Sequence, residues 1–219
     1  YLQAEFARII DNNISSLNAL ASSPATIMYM NDPTGNAELE ADLLVQMNEI
    51  DAYLGDGNNT CITGADGMQL LRTKGDLVDV SEREYFIQAM QGNPYVSDIM
   101  ISKSTGSRQI TIAVPVTDSS TNTAIGILQR NYSLTDLHEF LASETDDAFI
   151  ADRTGMLAAH AAYDYGEGDG KHEEEDRSTS VFMTSGLDEG CYTADTGKGY
   201  AAIIAYVKEP TTQFTVVCA

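Results

Sequence analysis

Arg83 and Tyr85 stand two residues apart at the start of a predicted helix, where together they could hold an anion. Ser81, with Glu84 three residues on, is a capping-box signature that opens a helix over 82–91. Arg83 then lies in the first turn, beside unpaired backbone N–H groups and the positive end of the helix dipole. A cation is unfavourable there unless an anion is close. A planar guanidinium fork beside a helix N-terminus suits a ligand carboxylate. Glu82, Glu84 and Asp79 offer the alternative, a surface ion pair within the chain. Tyr85 and Phe86 are adjacent and project in different directions, so Tyr85 is assigned to a pocket wall and Phe86 to the core. Thr111 and Ala113 share the strand face opposite Ile110, Ile112 and Val114. Their small size leaves room for a ligand, although close sheet packing accounts for them equally well. Asp98 can accept a donor from a ligand or cap a turn.

Signals for catalysis are weak. His172-Glu173-Glu174-Glu175-Asp176 begins like a zinc-protease helix but lacks the second histidine. Asp164 to Glu175 has the length of a calcium loop, yet puts glycine at its third and fifth positions and Asp169 where the turn glycine belongs. Both read as one solvated acidic loop. No nucleophile elbow, P-loop or dinucleotide fingerprint occurs, and His138, His160 and His172 have no partner at motif spacing. The expectation is no catalytic residue, no metal and no cofactor.

The charge balance narrows the partners. Twelve Lys and Arg face 33 Asp and Glu, a formal net charge of −21, and such a surface repels phosphate backbones. Nucleic acid is therefore excluded, and docking of the folded surface onto anionic lipid is disfavoured. Hydrophobic residues make up 43% of the chain, enough to pack a core. Cys61, Cys191 and Cys218 include no CxxC pair, and an odd number argues against a disulfide framework. No apolar run reaches the roughly 18–20 residues of a membrane span. Tyr1 opens inside a helical pattern without a signal peptide and the chain closes on the apolar strand 214–218, so both ends read as cut from a longer protein.

The elements that position these side chains follow from periodicity. Leu2, Phe6, Ile10, Leu17 and Leu20 lie on one face of a long first helix, whose near-heptad seam could also serve as a stalk or a homodimer face. Ser23-Pro24 restarts it and Asn31-Asp32-Pro33 stops it; a second helix follows over 37–54. Strands flank the glycine turn at 64–67, and further strands are predicted over 95–102, 109–116 and 124–132. Ser133 with Asp136 caps another helix. The remainder repeats this plan in shorter form. Gly155-Met156 matches Gly67-Met68, Asp195-Thr196-Gly197 matches the turn at Thr105-Gly106, and a loop over 163–177 takes the place of the helix. The reading is an α+β fold with a long N-terminal helix and two antiparallel-sheet modules.

The ordered series from Asp79-Val80-Ser81-Glu82-Arg83-Glu84-Tyr85-Phe86 through Ala89-Met90-Gln91-Gly92 to Tyr95-Val96-Ser97-Asp98 resembles the double Cache sensor family. The Thr105-Gly106 turn and the strands at Ala113-Val114-Pro115-Val116 and Gly126-Ile127-Leu128 continue the match over about 57–141. The resemblance implies two PAS-like modules stacked on a long helix, outside the cytoplasmic membrane. It divides the chain into 1–56 for the stalk and second helix, 57–141 for a membrane-distal module and 142–219 for a membrane-proximal one. Such regions are the input of chemoreceptors, sensor histidine kinases and cyclic-nucleotide enzymes, anchored by flanking spans outside this sequence. In the amino-acid-binding branch an arginine and an aromatic two residues later hold the ligand carboxylate, a tyrosine strand follows, and an aspartate on the last strand holds the amine. Carried over by motif, these are Arg83, Tyr85, and Tyr95 with Ser97; the last-strand position is Asn131. An amide gives an ammonium group an acceptor but no countercharge. A short carboxylate or a nucleobase-like ring thus stands beside an amino acid as expected ligand. A freestanding solute-binding protein is the alternative role, and a metal hydrolase using the acidic loop ranks last.

Overall fold

The computed structural model describes residues 1–166, 175–195 and 199–219. Helix α1 (Leu2–Ala21) buries Phe6, Ile10, Asn13, Leu17, Leu20 and Ala21. The apolar seam read from the sequence is thus spent on the core. Phe6 stacks on Phe214, 6.2 Å between centroids, while the outward Arg8, Asp11, Asn12, Ser15 and Asn18 are exposed and polar. Helix α2 (Pro24–Asn31) restarts where Ser23 accepts the Thr26 N–H and proline takes N1, so both signals act as their chemistry dictates. Helix α3 (Ala37–Leu54) ends at Gly55 in the left-handed region, φ +62°.

Two antiparallel sheets follow. The first holds β1 (Asn59–Gly64), β2 (Gln69–Arg72), β3 (Tyr95–Val96), β4 (Met100–Ile101), β5 (Arg108–Asp118) and β6 (Thr123–Ser133), in the order β2-β1-β6-β5-β3, with β4 also on β5. A short helix, α4 (Glu84–Ala89), joins β2 to β3. Helix α5 (Leu134–Glu144), capped by Ser133, leads into the second sheet. That sheet holds β7 (Ala148–Ala151), β8 (Leu157–His160), β9 (Glu189–Asp195), β10 (Ala201–Lys208) and β11 (Thr215–Cys218), in the order β8-β7-β11-β10-β9. Each sheet therefore sets its last strand against its first. In the first sheet, Ile110, Ile112, Val114 and Leu128 join the main core with α1. The opposite face carries Ala113 and Ile127 into a smaller cluster with Tyr85 and Phe86 of α4.

The duplication extends to single hydrogen bonds. Val80 N–H donates to the Gly67 carbonyl at 2.8 Å, and Arg177 N–H to the Gly155 carbonyl at 2.8 Å. Ser81 N–H meets the Asp79 carboxylate at 2.8 Å, as Ser178 N–H meets Asp176 at 2.7 Å. The loop expected over 163–177 in place of the helix lies partly outside the described residues, and a one-turn helix, α6 (Val181–Thr184), follows it with Phe182 buried. In this alignment Ser180 and Phe182 occupy the places of Arg83 and Tyr85. The matched turn at 195–197 lies partly outside the described residues, as does most of the acidic loop.

Gly67 (φ +85°) is required twice over: its conformation suits only glycine, and a Cβ would sit 2.4 Å from the Ser81 Cα. Gly67→Ala is expected to cost about 1–3 kcal/mol in a urea titration. Gly92→Ala, where φ is also positive (+103°) but nothing lies within 4 Å, should cost less. Equal losses at the two sites would refute the close-packing argument. The cysteines are all free. Cys191 and Cys218 both pair opposite Ala205, across β10. They stand two strand spacings apart, about 9–10 Å, beyond the roughly 7 Å a disulfide spans.

Candidate functional site

The first-sheet face turned toward α4 presents Gln109, Thr111, Gln129 and Asn131, because alternate residues of β5 and β6 share a face. The β2–α4 connection closes one side and the β4–β5 turn the other, leaving a narrow cleft. Its floor is a chain of amides and hydroxyls. The Thr111 hydroxyl donates to Asn131 Oδ1 at 3.3 Å and accepts from Gln109 Nε2 at 3.3 Å. Gln129 Nε2 donates to the Tyr85 hydroxyl at 3.1 Å while its Oε1 accepts from Thr63 at 3.2 Å. With Gln129 donating to it, Tyr85 keeps its own proton for a further acceptor. Burial pushes that phenol up to about 12, so it stays a donor at neutral pH.

The rim is cationic. Arg72, Arg83 and Lys103 line the cleft and no Asp or Glu does. Arg83 Nη2 donates to the Ile101 carbonyl at 3.0 Å, Arg72 Nη1 to the Asp76 carbonyl at 3.1 Å, and Lys103 Nζ to the Asp79 carbonyl at 2.9 Å. All three therefore rest on neutral acceptors, and none forms an ion pair among the described residues. Arg72 Nε is shut off from solvent without a partner. Three of the chain's twelve Lys and Arg thus converge on a cleft that no carboxylate lines, in a protein with 33 acids; Asp79, outside the lining, is the carboxylate that Lys103 acts on. Such a cleft favours an anion.

Arg83, Tyr85 and Asn131 come together in this cleft, with Thr111 beneath Asn131. Arg83 is the N-cap of α4 rather than part of its first turn, and it has extended backbone angles. The capping box at Ser81 does not form. Asp79 holds the Ser81 amide, and the close approach of Gly67 fixes Ser81 in that turn. Nor does Arg83 pair with Glu82, Glu84 or Asp79; Glu84 accepts from Gln88 instead. Sequence reasoning missed Arg72, Lys103, Gln69 and Gln129. Only Gln129 carried a signal, since it stands two residues before Asn131 on one strand.

Tyr95, Ser97 and Asp98 do not line this cleft: Tyr95 packs on the Tyr85–Phe86 cluster, and the segment runs on to the junction of the sheets. The strand expected over 95–102 is broken into β3 and β4, and the segment between them is tied to the β7–β8 hairpin. Asp98 Oδ1 accepts both the Arg153 N–H and Nη1 at 3.2 Å, and Val96 O accepts Nη2 at 2.6 Å. The same guanidinium lies 4.8 Å from the Tyr95 ring centroid. Asp152 Oδ2 accepts the Ile99 N–H at 3.3 Å. Ser97 Oγ bridges the break, accepting from the Thr111 N–H and donating to the Asp98 carbonyl, each at 2.8 Å. Burial raises the Asp98 pKa above its ordinary value, and Arg153 opposes the shift.

The Arg83 and Tyr85 equivalents in the second copy, Ser180 and Phe182, offer neither a fork nor a phenol. Among the described residues no group of three His, Cys, Asp or Glu could hold a metal ion, and no helix is long and apolar enough to cross a membrane. Of the incomplete zinc motif at 172–176, the first three residues lie outside the described residues.

A family model described as a Cache domain, of the double (dCache) form, matches residues 1–219. No curated protein sequence matches the chain. Among solved structures, the extracellular domain of the histidine kinase rpHK1S-Z16 is similar with a TM-score of 0.76 at 12% identity, over 99% of this chain and 88% of that one. The sensory domain of the Campylobacter jejuni chemoreceptor Tlp3, with isoleucine bound, gives 0.73 at 14%, over 99% and 86%. The ligand-binding domain of the Pseudomonas aeruginosa amino acid chemoreceptor PctC, in complex with GABA, gives 0.70 at 14%, over 99% and 93%. At these identities the likeness is one of fold.

Proposed function

The chain belongs to the double Cache family, and on that premise we propose that its first-sheet cleft binds a small carboxylate carrying no ammonium group. Membership makes it the sensory, non-catalytic ligand-binding region of a membrane receptor, outside the cytoplasm. We assign the ligand to the module at 57–141, with 1–56 as the supporting helices and 142–219 as the membrane-proximal module.

The observation carrying the ligand class is the convergence of Arg72, Arg83 and Lys103 on a cleft that no acid lines. The ligands bound in the Tlp3 and PctC structures, isoleucine and GABA, both carry an amine. Here an ammonium group would meet Asn131, Gln129 and Gln109, which offer dipoles, beside three positive charges. A carboxylate gains charge-assisted hydrogen bonds from the rim and a further donor from Tyr85. A nucleobase could bond the amides but would leave the cations unanswered.

The test is a thermal-shift comparison of matched pairs: succinate against L-aspartate, and propanoate against L-alanine. Ligand at about a hundred times its Kd adds roughly 2.7 kcal/mol to stability, which is easily seen. The amine-free acid of at least one pair is expected to raise the melting temperature more than its amino counterpart. Asn131→Asp should reverse that preference by placing a countercharge on the floor. Stabilisation by the amino acids alone in the unaltered protein would sink this ligand class while leaving family membership intact.

A further inference from the structure

A second, wider cleft opens where the two sheets meet. Arg108, at the start of β5, lines it and is its unusual feature. Its guanidinium makes no hydrogen bond or ion pair with any described residue, although Nη1 is shut off from solvent. The residue is half-buried, and a guanidinium nitrogen shut off from water without an acceptor is costly; an anion supplied from outside the chain relieves that cost. Two carboxylates share the cleft with it. That of Asp152 is used up by its own turn, accepting from the Thr154 and Met156 amides, the Thr154 hydroxyl and the Ile99 amide. Asp98 gives Oδ1 to Arg153, while its Oδ2 bonds no described residue, and the side chain is 33% exposed. Met100, Ile101 and Met156 supply an apolar wall.

We infer that this inter-sheet cleft is a second ligand site, built for a small zwitterion. Arg108 takes the carboxylate, Asp98 Oδ2 takes the ammonium group, and Met100, Ile101 and Met156 cover a short apolar body. The two clefts thus differ in the charge they require: the first has cations and no acid, the second has both signs. The shared wall is β4, whose Met100 and Ile101 line both. This site stands on its own residues and does not depend on what the first cleft binds.

The experiment is an amide NMR titration of the whole chain with L-leucine, paired with 4-methylpentanoate, the same skeleton without the amine. L-Leucine should perturb 98–101, 108 and 154–156 saturably, and 4-methylpentanoate should bind at least about tenfold more weakly. Arg108→Met should weaken L-leucine by about thirtyfold or more. It should also melt, unliganded, at or above the temperature of the unaltered protein, because it removes a charge that the fold does not answer. The site is overturned if L-leucine perturbs only the 83, 129 and 131 region or nothing at all. It is equally overturned if Arg108→Met binds as tightly as before or melts lower, since a lower melting point would mean that the fold itself satisfies the guanidinium.

Discussion

Replacing Arg130 with alanine is expected to destabilise the fold by about 3–5 kcal/mol, the cost of breaking a buried ion pair from one side. Arg130 is completely buried on β6. Its Nη1 donates to Asn13 Oδ1 of α1 at 2.9 Å and to Asp56 Oδ2 at 3.2 Å. Its Nη2 donates to Asp56 Oδ1 at 2.8 Å and to the Asn58 carbonyl at 2.9 Å, and lies 3.3 Å from Asp51 Oδ1. One side chain thus ties the long helix, the end of α3 and the first strand to the central strand of the sheet. Alanine would leave two largely buried carboxylates without their cation and Asn13 without its donor. Gln129 and Asn131, the neighbours of Arg130, face the cleft, so the same loss loosens the cleft floor. Arg130→Lys keeps the charge but not the fork and should fall between. Urea unfolding measures this directly, and a loss under about 1 kcal/mol for the alanine variant would show that the network holds little.

Arg83→Ala has the larger effect on ligand binding and a small one on the fold. Removing one partner of a desolvated charge pair costs about 2–5 kcal/mol of binding, thirtyfold or more in Kd. In the ligand-free protein Arg83 gives a single hydrogen bond, to the Ile101 carbonyl, from a half-exposed position. Its removal should therefore cost at most about 1 kcal/mol of stability. The comparison that isolates charge from geometry is Arg83→Lys, which should recover only part of the affinity because the bidentate fork is lost. Calorimetric titration of the carboxylate that stabilises the domain most supplies the numbers. Undiminished binding in Arg83→Ala would remove this residue from the site.

The parts of the fold that were legible in the sequence are those set by local rules. Helix α3 follows its apolar spacing from Ala37 to Leu54, Ser23-Pro24 restarts a helix, and the glycines at 67 and 155 mark equivalent hairpins. Arg83 and Tyr85 were reached through an ordered motif, which also carried Asn131 to the same cleft. Tyr95, Ser97 and Asp98 do not line the first-sheet cleft, for a non-local reason. The strand that should carry them is broken by Arg153 and Asp152, about 55 residues away, and nothing in residues 95–102 announces that contact. Arg72 and Lys103 were invisible for a similar reason, since each reads as an ordinary surface cation until the sheet brings them together. The failed capping box at Ser81 shows the limit of pattern alone: the spacing was right, but Asp79 holds that serine's amide in a turn pressed against Gly67.

The most direct measurement is a crystal structure of the domain with its most stabilising carboxylate. The ligand's carboxylate is expected between Arg83 and Arg72, with oxygens about 2.7–2.9 Å from guanidinium nitrogens, the Tyr85 hydroxyl turned toward it and no protein carboxylate against it. A ligand carboxylate lying outside this cleft, or inside it without contacting Arg83, would mean that the first-sheet cleft is not the binding site.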